Sequence, residues 1–196
     1  MKKIFYILTI FLFKFNIAYS LIEVDITRGN LDPLPIAVSP LHVDVQSDNL
    51  KDIKIKELGD RISSVVEKNF RSTGLFNPLN KEAFVQKPDI AHLKPRFEDW
   101  KLITAQALVT GKLLIKDDKL KVEFRLWDVA ANKEMIALAF TTTPSNWRRV
   151  AHIISDKIYE RLTGETGYFD TRIIYVSETG LKTQRVKKLA IMDQDR

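Results

Sequence analysis

The chain has 196 residues, 45% of them apolar, no cysteine and a formal net charge of +6. The missing thiols exclude a disulfide framework, a zinc–thiolate site and a cysteine nucleophile, so the fold must rest on an apolar core, which about 150 residues can supply. Lys2, Lys3 and Lys14 account for half of the net charge, and the small excess left on the rest of the chain is too diffuse for a nucleic-acid footprint.

The first twenty residues, "MKKIFYILTIFLFKFNIAYS", carry two leading lysines, an apolar run from Ile4 to Phe13, and the small residues Ala18 and Ser20. This is the layout of a secretory signal peptide cleaved after Ser20. Lys14 interrupts the run well short of the roughly 20 residues that a membrane span needs, so no transmembrane span is expected after cleavage. The next stretch runs Leu21, Ile22, Glu23, Val24, Asp25, Ile26, Thr27, Arg28. Ile22, Val24 and Ile26 point to one side and Glu23, Asp25 and Thr27 to the other, which is strand periodicity. "GNLDPLP" then reads as a linker. Two readings stand: an edge strand of the domain that follows, or a free ribbon that pairs with the sheet edge of a partner.

"PIAVSPL" (35–41) predicts a short buried strand, and the polar "HVDVQSDNLKD" after it a loop. Ile55, Leu58, Ile62, Val65, Val66 and Phe70 share one helical face, and Gly74 supplies the left-handed residue that ends the helix. "LFNPL" (75–79) is extended, so strand, helix and strand suggest a right-handed crossover. Residues 80–99 read as an irregular connection with a short helix near Phe97 to Leu102. Three strands follow at 105–115, 119–128 and 134–143, with Leu120, Val122, Phe124 and Leu126 inward and Asp117-Asp118 and Asn132-Lys133 at the turns. A second helix opens at Thr143 as N-cap with Pro144 in the first turn. Trp147, Val150, Ala151, Ile154, Ile158 and Leu162 form its stripe, and Gly164 ends it. Past a glycine hinge, "RIIYVSE" (172–178) and "VKKLAIMD" (186–193) predict a hairpin that needs sister strands.

The expected fold is α/β (α+β-like): a mixed sheet of about five strands with two main helices. A hydrolase elbow, an H-E-x-x-H pair, a phosphate loop and a dinucleotide fingerprint are all missing from the sequence. His42, His92 and His152 lack ligand spacing and read as surface side chains. Asp117-Asp118 is turn chemistry, the three tryptophans are core candidates, and Arg148-Arg149 lie on a solvated helix face. No catalytic, cofactor or metal site is expected, and the chain does not read as an enzyme.

Several stretches resemble the TolB family of periplasmic Tol–Pal proteins. "IEVDITRG" with "PIAV" (22–38) is similar to the family's N-terminal segment and first strand, and "WKLITAQALVTGKL" (100–113) to its lead into a central strand. "NWRRVAHIISDKIYERLTGETGYFDTRIIYVSE" is the most specific part, through its Trp-Arg, Ala-His and Ser-Asp pairs and Leu-Thr-Gly. "KKLAIMDQD" resembles the family's opening into a β-propeller. Thr104 and Gln106 stand where the family usually has Gly and Asp, which implies a locally altered turn without lost chemistry.

The resemblance implies a signal peptide at 1–20, a TolA-binding strand and linker at 21–34 and an N-terminal α/β domain at 35–166. Residues 167–196 would be the start of an incomplete β-propeller. It further implies a periplasmic adaptor that links TolA of the inner membrane to Pal at the outer membrane. Such an adaptor supports outer-membrane invagination in cell division and envelope integrity. Residues Leu21 to Arg28 would contact TolA, while the Pal contact is in doubt where the propeller is missing. Two rival readings are a truncated remnant without function and, least favoured, an exported enzyme without a recognisable motif.

Overall fold

The computed structural model describes residue 22, residues 32–45 and residues 57–194. The expected signal peptide and helix position Ile55 lie outside the described residues. In chain order the strands are β1 (Leu34–Val38), β2 (His42–Val45), β3 (Phe76–Pro78), β4 (Ala107–Lys116), β5 (Lys119–Asp128), β6 (Lys133–Thr142), β7 (Arg172–Thr179) and β8 (Val186–Asp193). The helices are α1 (Leu58–Thr73), α2 (Pro88–Ala91), α3 (Phe97–Leu102) and α4 (Trp147–Thr163).

The main sheet is mixed, in the order β3-β1-β4-β5-β6. β1 lies parallel to β3 and β4, whereas β4, β5 and β6 form an antiparallel meander. The sequence reading missed one strand. β2, inside the stretch expected to be a loop, runs parallel to β4 from His42↔Lys112 to Val45↔Ile115. β1 and β2 follow one another along the same edge of β4, and Pro40 separates them because it has no N–H to give the ladder. His42–Val45 is too short and polar to announce itself as a strand; the long neighbour β4 supplies the pairing.

Both long helices pack on one face of the sheet. Leu58, Ile62, Val65, Val66 and Phe70 of α1 are buried, as are Val150, Ala151, Ile154, Ile158 and Leu162 of α4. They meet Ile36, Val38, Leu120, Val122, Phe124 and Leu126 in one core. Each Val, Leu, Ile or Phe side chain fully buried there contributes about 1.5–3 kcal/mol. Gly74 and Gly164 close the two helices at φ 70° and 76°, as their positions predict. The start of α4 differs from expectation. Pro144–Asn146 is a separate 3₁₀ turn, and Thr143 Oγ1 meets Ser145 Oγ at 2.9 Å instead of capping a backbone N–H.

The connection from residue 79 to residue 105 covers part of the opposite face. Ala37 and Leu108, alternating with the inward residues of β1 and β4, pack there with Ala91, Trp100, Ala105 and Val129. Gln86 organises this segment. Its Oε1 accepts from Trp100 Nε1 at 3.1 Å and from the Arg96 N–H at 2.9 Å, and its Nε2 donates to the Lys94 carbonyl at 3.1 Å. β7 and β8 form a separate two-stranded antiparallel sheet. Among the described residues, no helix is long and apolar enough to cross a membrane.

Candidate partner-binding site

Of the eight residues expected to meet a partner, Ile22 is described; Leu21, Glu23, Val24, Asp25, Ile26, Thr27 and Arg28 lie outside the described residues. Ile22 is half-buried against the main core. Its N–H donates to Asp128 Oδ2 at 3.3 Å. Asp128, at the end of β5, is 1% exposed, and its other oxygen accepts the Ala131 N–H at 2.8 Å. One carboxylate thus closes the turn between β5 and β6 and receives the N-terminal segment.

Asp128 was not singled out from the sequence, yet a signal exists. It continues the inward series Leu120, Val122, Phe124, Leu126, and an acid on an apolar parity calls for donors. Pro35 and Gln106 lie at the same end of the sheet, since the Gln106 N–H donates to the Pro35 carbonyl and the Val129 N–H to the Gln106 carbonyl, each at 2.9 Å. Ile22 therefore sits beside the point where the chain enters β1.

The histidines differ from the surface positions expected of them. His152 is buried between α1 and α4, with Nδ1 3.0 Å from Asn69 Nδ2, which also donates to Ser155 Oγ at 2.9 Å. His92 is buried too; its Nδ1 lies 3.0 Å from the Pro88 carbonyl. The half-buried His42 stacks on it with ring centroids 4.7 Å apart. These rings fill space and link elements. No group of three or more His, Cys, Asp or Glu among the described residues is placed to hold a metal ion.

Trp100 is fully buried. Trp127 is half-buried, its Nε1 donating to Thr110 Oγ1 at 2.9 Å, and Trp147 carries the Arg61 guanidinium 4.3 Å above its ring. A dish of about 220 Å³ on the outer face of β4–β6 is lined by His92, Lys112, Glu123 and Arg125 among others. Its charges are paired: Lys112 and Lys121 with Glu123 at 3.7 and 2.7 Å, and Arg125 with Glu134 at 3.1 Å. Lys121 holds the Glu123 carboxyl below its ordinary range.

Comparison with known proteins gives this arrangement a context. The family model for the TolB amino-terminal domain matches residues 22–135. The Tol-Pal system protein TolB of Pelagibacter ubique (strain HTCC1062) is 73% identical over 180 residues, covering 91% of this chain and 40% of the relative. The crystal structure of TolB from Acinetobacter baumannii superposes with a TM-score of 0.65 at 24% identity, over 84% of this chain and 37% of that one. At that identity the superposition speaks for the fold. The chain spans about 40% of the length of the curated relative it matches.

Proposed function

The chain belongs to the TolB amino-terminal domain family, and from that membership we propose that it serves as a periplasmic adaptor of the Tol–Pal system. In this reading the ribbon from Leu21 to Arg28 adds a strand to a sheet edge of TolA, anchored in the inner membrane. Main-chain hydrogen bonds supply the affinity, and Ile22, Val24 and Ile26 fill pockets on the partner. The α/β domain presents the ribbon. The link onward to Pal at the outer membrane, with its part in cell division and envelope integrity, is the whole-protein role that the family resemblance implies.

The supporting observation is the kinship with a Tol–Pal protein at 73% identity, joined to the alternating pattern at 21–28. Ile22 rests on the domain through one long hydrogen bond and a half-buried side chain. Handing the ribbon to a partner breaks that contact, so the measured affinity is net of its loss. The test is titration calorimetry against TolA with residues 21–28 deleted, or with Val24→Pro, which removes one N–H from the ribbon. Both changes are expected to abolish binding while the circular dichroism spectrum and thermal midpoint of the α/β domain stay close to those of the parent. Binding at unaltered affinity by either variant would sink the assignment.

A further inference from the structure

We infer that residues 164–171 act as a splint fixing the β7–β8 hairpin to α4, and not as the glycine hinge that the sequence suggests. Beyond Gly164 the chain doubles back along α4, and a set of linked contacts holds it there. Asp156 directs its carboxylate at the returning backbone: Oδ1 accepts the Phe169 N–H at 2.6 Å, and Oδ2 accepts the Asp170 N–H at 3.1 Å. Such charge-assisted bonds are among the stronger ones a protein makes. Gly167 passes so close that a Cβ would stand 2.4 Å from the Asp156 Cα. Phe169 is 1% exposed within the main core, edge-on to Phe70 and Tyr159 at centroid distances of 6.5 and 5.9 Å. Arg149 Nε reaches both oxygens of Asp170, at 3.2 and 3.1 Å.

The chemistry explains why this stretch is stiff despite its glycines. A hinge needs backbone dihedrals free to change and few contacts that must break. Here Gly167 serves close approach rather than freedom, since its neighbour leaves no room for a side chain. Phe169 and Asp170 are tied down immediately before β7 begins at Arg172. The hairpin forms its own sheet with largely exposed strands, so its direction follows from this segment. A load applied to the hairpin passes through Phe169 into the core and through Asp156 and Arg149 into α4.

The experiment is nuclear magnetic resonance on the chain from residue 21 to residue 196, reading amide relaxation and residual dipolar couplings. Amides of β7 and β8 are expected to fit the alignment tensor of β4–β6, with order parameters of about 0.85 in that frame. Asp156→Ala combined with Arg149→Ala should release the hairpin, its order parameters in the same frame falling below about 0.6 while the shifts of β4 and β5 stay in place. Arg149 is exposed and Asp156 half-buried, and neither belongs to the apolar core, so the test does not depend on Phe169→Ala remaining folded. Gly167→Val gives a second arm, in which the new side chain must lift the segment off Asp156 and produce the same release. A parent hairpin with its own tensor, or variants whose hairpin stays as ordered as in the parent, would overturn the inference.

Discussion

Thr104 shows how a single residue can keep a backbone conformation that does not suit it. The family resemblance implies a glycine at this position and a locally altered turn where threonine replaces it. Thr104 holds φ 62°, the left-handed region that a β-branched residue enters only under strain. The neighbours leave little choice. Immediately after it, Ala105 donates its N–H to the Trp100 carbonyl at 3.1 Å and Gln106 donates to Pro35 at 2.9 Å, so the path into β4 is prescribed. Thr104→Gly is therefore expected to stabilise the domain by roughly 1 kcal/mol, relief of strain outweighing the added freedom of the unfolded chain. Chemical denaturation checks it, and a lowered midpoint would show that the turn carries no strain.

Between elements, the contact of α1 with the 3₁₀ turn at Lys81–Ala83 has a cost hidden in it. Glu67 is half-buried on α1 and pairs with Lys81 Nζ at 3.1 Å. Burial raises its pKa above the ordinary value, and Lys81 offsets only part of that. A carboxyl raised in the folded state favours folding while protonated. That contribution is complete below the unfolded pKa of about 4.3 and is lost as pH rises through the folded value. Glu67→Gln removes this dependence, and Lys81 keeps hydroxyl partners in Ser63 and Ser64 at 3.0 and 3.2 Å. The variant should gain stability relative to the parent as pH rises from 3 to 7, which paired denaturation curves at several pH values would reveal. A parent that gains on the variant over that range would mean that the ion pair outweighs burial.

On the scale of the whole molecule, the α/β domain satisfies itself and the hairpin does not. Ile174 stands opposite Ile191, and Val176 opposite Leu189, so these four side chains share one face. They are 58–74% exposed. Ile173 and Tyr175, on the other face, are exposed as well. A contiguous apolar patch of this kind promotes association, while contributing little to the stability of the domain that carries it. Ile174→Lys with Leu189→Lys is expected to lower self-association, measured by static light scattering across a concentration series, and to leave the thermal midpoint of the α/β domain nearly unchanged. A collapse of that midpoint would mean that the hairpin is part of the domain's core.

The elements legible in the sequence were those with enough length for their periodicity to speak. β5 alternates over ten residues, α1 and α4 each run an apolar stripe into a closing glycine, and the hairpin strands fall where the pattern places them. The N-terminal ribbon could be read as a strand pattern, and Ile22 is the part of it that the structure places. What the pattern left open depends on partners distant in the chain. β2 exists because β4 offers it an edge, and His152 is buried because Asn69, 83 residues away, meets it. Asp128 gains its role from Ile22, 106 residues earlier. Periodicity records which side of an element avoids water; it does not record which group, brought close only by folding, will answer a buried donor or acceptor. For the same reason, Gly167, which reads as part of a joint, became a close contact once Asp156 was folded against it.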